Sequence, residues 1–449
     1  MLVFTYLLTP KLEKDFMWLA RLCAAKCSAN YTADIAHWAT SSEQASACSV
    51  EPGTAADVST ILQILGSTRT PFGVKGGGHT TSLGFSSTTG VQISMKRFSS
   101  VTYNEQNQTA TFGSGLIWDD VYTALEPHGV IVAGGRVSGV GVAGFTLGYN
   151  WLANQVGLTL DTVEAFELVK PTGQIVSVVA SSDPDLFFGM RGIVTRFTLK
   201  AFKRDKVWGG VIAYGADQMP AVDAATVRFA TKNTDPKAQI ITGPTFIGGE
   251  GGLDTSGVFD DFLAIPSTSQ DLSTRSFLSL VKAGTPPTVL NRKYRAAFHV
   301  TTVLEYSAPM VAAVLNETTF WGNKVLDQGE FLVVTNIEPF LPSVYSHGAP
   351  SAFPPIRNAS YQPNLLYFSW NSSSSDAVFH AALKESVRHL TDVAVQLGQP
   401  VADAALYANY ALGDTPLERI YGNNPPRLRA IKARVDPQNV MGLAGGFKF

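Results

Sequence analysis

Charge is the first thing this chain is short of. Of its 449 residues only 16 % are Asp, Glu, Lys or Arg, and 34 basic against 36 acidic side chains leave a formal net charge of −2. Without a basic excess there is no electrostatic footprint for nucleic acid or for an anionic membrane. Long apolar runs are missing too, since none approaches the roughly 18 residues that span a bilayer. Cysteine is down to three, Cys23, Cys27 and Cys48, all near the start. An odd count forbids complete pairing within one chain. Zinc on the Cys-x-x-x-Cys spacing, with His37 as a fourth ligand, is the rival use, although the spacings match no familiar zinc pattern. His128, His299, His347, His380 and His389 form no recognisable ligand set either, so no metal is expected. There is no internal repeat and no low-complexity tract beyond Ser372 to Ser375. What remains is 45 % apolar and long enough to bury a large core in two domains, which excludes a disordered chain.

Glycine is what the chain concentrates. Lys75-Gly76-Gly77-Gly78-His79 follows Thr70-Pro71-Phe72-Gly73-Val74. Three successive glycines cost backbone entropy, so a fold that keeps them needs positive φ or bare N–H groups close to something bulky, and a pyrophosphate is the usual partner. The histidine adds a nucleophile, base or ligand. The plain alternative is a glycine-rich surface turn followed by a solvated histidine. A second glycine-rich stretch, 134–148, contains a literal Gly-x-Gly-x-x-Gly at Gly139, Gly141 and Gly144. Dinucleotide binding of the Rossmann kind would want it after a buried strand in a βαβ unit, with an acidic residue about 20 positions on. Glu164 has that spacing, but Thr162 to Val169, the turn Lys170-Pro171-Thr172-Gly173 and Gln174 to Val179 read as a hairpin.

Other local signals set the frame. Val91 to Met95, Thr109 to Phe112 and Ile193 to Phe202 read as strands, and Ile117 to Leu125 as a helix. Ser182-Asp183-Pro184-Asp185 offers an N-cap with proline in the first turn of a short helix. Gly329 to Thr335 and Leu365 to Trp370 are β-branched and aromatic runs suited to strands. Val378, Ala381, Leu383, Val387 and Leu390 mark one face of a helix over 377–397.

The run "PFGVKGGGHTTSLGFSSTTGVQISMKRF" resembles the flavin-attachment loop of the berberine-bridge-enzyme-like FAD-linked oxidases, which have a vanillyl-alcohol-oxidase-type FAD domain. Ser49-Val50-Glu51-Pro52-Gly53-Thr54, Gly113 to Tyr122, Gly134 to Gly148 and Tyr421-Gly422-Asn423-Asn424-Pro425-Pro426-Arg427-Leu428 follow in the family's order. The resemblance implies an α+β fold of two domains: an FAD-binding domain over 30–203, a substrate domain with a large antiparallel sheet over 204–405, and a return to the FAD domain over 406–449. It implies FAD as cofactor, with Lys75, Gly76, Gly77 and Gly78 around the pyrophosphate and His79 bonded to the flavin 8-methyl carbon. Gly139, Gly141 and Gly144 would approach the phosphates and ribose, and Asn424 would reach the flavin. Some relatives add a second covalent bond through a cysteine near Val137; no cysteine follows Cys48 here, so a single bond is expected. A Cys48 bridge to Cys23 or Cys27 is implied by the same likeness.

The implied reaction is transfer of a hydride from an alcohol or secondary-metabolite substrate to flavin and then to dioxygen. Some relatives use a glutamate base, and around Ser351 to Pro355 there is none. Others use Tyr-x-Asn-Tyr, which Tyr407-Ala408-Asn409-Tyr410 matches, so Tyr407 is the candidate base. For that its pKa, ordinarily about 10, would have to fall. Relatives are commonly secreted, and sequons at Asn30, Asn107, Asn316, Asn358 and Asn371 fit a glycoprotein, although Met1 to Leu8 lacks the basic start of a good signal peptide. The chain departs from the family where it reads Gly148-Tyr149-Asn150 and Met190-Arg191-Gly192, since relatives carry extra residues at both places. A redox-silent descendant, acting as a cyclase or binding protein, is the reading those departures favour.

Overall fold

The chain is organised by four sheets, seen in a computed structural model that describes residues 28–146, 148–189, 192–204, 206–248, 260–285 and 294–449. The first begins in the Ser-Val-Glu-Pro-Gly-Thr segment, whose head is strand β1 (Cys48–Val50). Thr54 then caps the helix Ala55–Thr68: its hydroxyl accepts from the Asp57 N–H while the Asp57 carboxylate accepts from the Thr54 N–H. This reciprocal box satisfies two otherwise orphaned donors. Val58, Ile61, Leu62 and Leu65 bury the helix's inner face. β2 (Phe72–Lys75) and β3 (Val91–Ser94) complete a parallel sheet with β3 in the middle, buried along its whole length. Cys48 is disulfide-bonded, which takes it out of any zinc site; Cys23 and Cys27 lie outside the described residues.

The second sheet is antiparallel. It contains β4 (Val101–Asn104), β5 (Thr109–Gly113), β6 (Val130–Val132), β7 (Val163–Val169), β8 (Ile175–Val178) and β9 (Ile193–Lys203), in the order β4-β5-β9-β7-β8 with β6 on β9. Along β9 every second residue is buried, the period a half-buried strand requires. The hairpin at 163–178 forms as its pattern predicts, and Asp183 caps the helix Pro184–Phe188 by accepting from the Leu186 N–H at 2.9 Å. The Rossmann reading fails here. Gly139 to Gly144 leads into a helix of only four residues, Val142–Phe145, and the next strand, β7, pairs antiparallel with both neighbours. Glu164 is spent on a surface ion pair with Lys200 at 3.3 Å.

β10 (Val207–Ala213) pairs with β12 (Ser269–Arg275), while β11 (Thr245–Gly248), β14 (Phe331–Ile337), β15 (Gln362–Trp370) and β13 (Arg295–Val303) form an antiparallel sheet in that order. The helices Ala308–Lys324 and Asp376–Gln396 cover one face of this sheet. Val333, Leu366, Phe368 and Trp370 share a core there with Val311, Val314, Phe379 and Leu383, and Trp370 stacks on Phe379 at 4.7 Å. The strand period of two sends the alternate side chains the other way, toward the first two sheets. The chain ends by returning to its start: Val440 and Ala444 pack with Val58, Ile61 and Leu65. The architecture is α+β in two domains, and the second sheet face left uncovered by helices is what positions the site.

Candidate functional site

A cavity of about 1540 Å³ lies between the glycine loops and this uncovered sheet face. Drug-sized ligands occupy sites of roughly 300–1,000 Å³, so there is room for a dinucleotide and a substrate together. Gly76, Gly77, Gly78 and His79 line it on one side and Gly141 and Gly144 on the same domain's adjoining loop. The two loops touch as bare backbone: a Cβ on Gly77 would lie 2.5 Å from the Gly141 Cα, and one on Gly141 would lie 2.6 Å from the Gly77 N. No side chain fits at that crossing, so both positions require glycine. A Cβ on Gly144 would meet nothing within 4 Å, leaving open room beside the loop. Bare backbone, open space and a glycine-rich turn suit a bulky phosphate-bearing cofactor.

His79 lies in an aromatic stack, with Trp38 at 4.4 Å and 13° and Phe298 beyond it at 6.4 Å and 11°. Its ring is therefore held in one plane at the cavity wall. The other expected residues split. Lys75 is buried and donates to the Ala33 and Ala36 carbonyls at 2.8 Å, tying down the end of the helix Ala29–Ile35. Gly139 donates its N–H to Asp119 Oδ2 at 2.9 Å while Ser138 Oγ donates to Asp119 Oδ1 at 2.6 Å, so Asp119 pins the loop from behind. Asn424 donates to the Ser351 and Ala352 carbonyls at 3.4 and 3.0 Å. None of these three is among the residues lining the cavity.

Tyr407 lines the cavity and is buried. Its oxygen accepts from Asn409 Nδ2 at 2.9 Å and from the Tyr149 backbone N–H. Burial nevertheless holds this hydroxyl above its ordinary pKa, outweighing the nearby Arg136 guanidinium and the Asn409 bond, which pull it down. Beside it stands a constellation with no local sequence signal. Arg136 Nη2 donates to Glu338 Oε2 at 2.6 Å and to the Tyr410 hydroxyl at 2.8 Å, and that hydroxyl donates to Glu338 Oε1 at 3.2 Å. Arg136 and Glu338 are 6 % and 1 % exposed. Burial alone would lower the Arg136 pKa, but the Glu338 carboxylate and the two phenols raise it further, so the guanidinium stays charged. Burial and the same carboxylate push Tyr410 well above its ordinary value. Glu338, the residue directly after β14 and three beyond the Gly329–Thr335 run, is the carboxylate the cavity holds here, whereas the segment around Ser351 offers none.

The Gly148-Tyr149-Asn150 segment bears on Tyr407 directly. A Cβ on Gly148 would sit 2.6 Å from the Tyr407 oxygen and 2.7 Å from the Phe145 ring. Gly148→Ala is expected to push the phenol out of place and lower turnover by roughly 10²-fold, as about 1 Å of misplacement can, while the protein keeps its cofactor; unchanged turnover in steady-state assays would contradict this packing. Leu147, Met190 and Arg191 lie outside the described residues.

Comparison with known proteins agrees with the geometry. A family model described as FAD binding domain matches residues 46–178, and one described as Berberine and berberine like matches 406–444. The FAD-dependent monooxygenase drtC of Aspergillus calidoustus is 30 % identical over 443 residues, covering 90 % of this chain and 83 % of that one. An uncharacterized FAD-linked oxidoreductase of Arthroderma benhamiae is 31 % identical, covering 89 % and 87 %. Among solved structures, xylooligosaccharide oxidase from Myceliophthora thermophila C1, in complex with xylobiose, superposes with a TM-score of 0.74 at 17 % identity over 98 % of this chain and 99 % of that one, a likeness of fold.

Proposed function

The chain belongs to the berberine-bridge-like FAD-linked oxidoreductases, and on that premise we propose that it is an oxidase that removes a hydride from a hydroxyl-bearing carbon of a small molecule and delivers the electrons to dioxygen. The observation that carries the reading is the cluster of Tyr407, Tyr410, Arg136 and Glu338, which lines the same cavity as the glycine loops. FAD, once bound, supplies the hydride acceptor, and dioxygen leaves as hydrogen peroxide. The backbone of Gly76 to Gly78 and of Gly141 to Gly144 would hold it, with His79 as the single covalent anchor. Lys75, Asp119 and Asn424 act by holding the walls in place.

In this proposal Tyr407 receives the substrate's hydroxyl proton as the phenolate, the small fraction that has already released its own proton to solvent. Two N–H donors converge on its oxygen and a buried guanidinium lies close, and all three stabilise the phenolate that accepts the proton. Tyr410 is held between Arg136 and Glu338, accepting from the guanidinium and donating its own proton to the carboxylate, and so fixes the charged pair beside Tyr407. Arg136 balances whichever group carries the charge.

The disulfide at Cys48 and five exposed sequon asparagines, Asn30, Asn107, Asn316, Asn358 and Asn371, support a secreted, glycosylated protein. The reaction is tested by turnover under ¹⁸O-labelled dioxygen: an oxidase yields about one labelled peroxide per oxidised substrate and an unlabelled product. Labelled oxygen in the product would overturn the oxidase reading in favour of oxygen insertion, the activity for which drtC is named.

A further inference from the structure

The uncovered face of the β13–β15–β14 sheet is ordered by register. Phe298, Tyr367 and Val334 lie side by side across the three strands, one on each, and the neighbouring pairs are Leu365 with Asn336 and Ser369 with Leu332. All seven of these strand residues border the cavity. Polar groups are few on this wall and most are already engaged. Ser369 donates to the Tyr367 hydroxyl, and burial pushes that hydroxyl up to about 12, so it stays a neutral phenol. Phe298, Tyr367 and Trp38 form an aromatic box, with ring centroids 5.2, 5.5 and 5.8 Å apart. Asn336 and Glu338 stand together at one end, the end where Tyr410 and Arg136 meet.

From this gradient we infer that the substrate is an apolar, ring-bearing molecule that presents one polar group to the Tyr407–Glu338 end and lays its body along Val334, Leu365 and the Phe298–Tyr367 rings, and that it is not an oligosaccharide. The inference rests on the oxidase reading for which end reacts. A sugar carries hydroxyls on every edge, and each one pressed against Val334, Leu332 or Leu365 loses its water without gaining a partner. One such loss lowers affinity by roughly one to two orders of magnitude. A flat apolar ring meets the opposite situation, because aromatic walls favour stacked and edge-on rings.

The test is calorimetric titration of the purified full-length protein with two probes, 2-naphthalenemethanol and cellobiose. The naphthyl alcohol is expected to bind at least about thirtyfold more tightly. Leu332→Gln and, as a milder second variant, Val334→Thr are expected to weaken it by about tenfold and threefold, with thermal unfolding and flavin content unchanged. Cellobiose binding as tightly as the naphthyl alcohol, or a naphthyl affinity indifferent to both substitutions, overturns the inference. Because the readout is heat and not turnover, a protein that shows the expected order yet never oxidises any alcohol keeps this specificity and loses the oxidase reading instead.

Discussion

Tyr407→Phe is expected to slow the anaerobic bleaching of the bound flavin by substrate roughly 10²- to 10⁴-fold, the range a positioned base supplies. The fold should survive the change, since the ring stays in its packing against Tyr149 at 5.0 Å and Phe353 at 5.7 Å and only the oxygen leaves. Glu338→Gln keeps the shape but strands a charged Arg136 in a buried site, and a smaller loss is expected. Stopped-flow absorbance measures all three variants, Tyr410→Phe included. A larger loss for Tyr410→Phe than for Tyr407→Phe would move the base to Tyr410. The pH dependence follows from the same burial. Tyr407 is held above its ordinary value, so it is protonated at neutral pH and a base role makes the rate climb as pH rises. Stability runs the other way: Tyr149, Tyr407 and Tyr410 all have raised values, so the stability their neutral forms contribute is complete below the unfolded-state value of about 10 and is lost as pH rises above it. The profile is therefore informative below that limit. A rate flat from neutral to alkaline pH would contradict a phenolic base.

His79→Ala is expected to release the cofactor on denaturation. His79 closes the glycine loop and is planar with Trp38 and Phe298 at the cavity edge, and no cysteine follows Cys48 to provide another bond. On an acidified denaturing gel the wild-type band should fluoresce and the variant band should not. Non-covalent contacts remain in the variant, so the native protein is expected to keep part of its flavin until it is unfolded. Flavin that leaves the wild-type chain on denaturation would refute the covalent bond.

The parts of this site that lie close together in the chain were legible, and those assembled across it were not. The run from Lys75 to His79 pointed to a turn with bare backbone because glycine has few other reasons to be repeated, and Gly76 to His79 line the cavity. The hairpin at 163–178 and the helix Asp376–Gln396 showed through their periods of 2 and 3.6. Arg136 and Glu338, by contrast, are 202 residues apart and meet only because β14 and the loop after β6 face the same cavity. Neither carries a local pattern. Gly139 and Asn424 illustrate the reverse: each sits in a recognisable motif, yet its hydrogen bonds are spent on Asp119 and on the Ser351–Ala352 carbonyls behind the wall. A motif identifies the loop, and only the fold decides which of its residues reach the ligand. The literal Gly-x-Gly-x-x-Gly is no Rossmann site, as the hairpin pattern after it already argued, since the antiparallel pairing of β7 denies it the βαβ unit it needs.

The central claim is that the cavity between the glycine loops and the β13–β15–β14 face is a working flavin site. The visible absorbance spectrum of the purified full-length protein, followed as an alcohol substrate is added without oxygen and air is then let in, tests it most directly. One flavin per chain, bleached by the substrate and restored by air, is the result expected. A colourless protein that takes up no FAD when it is supplied would contradict the account.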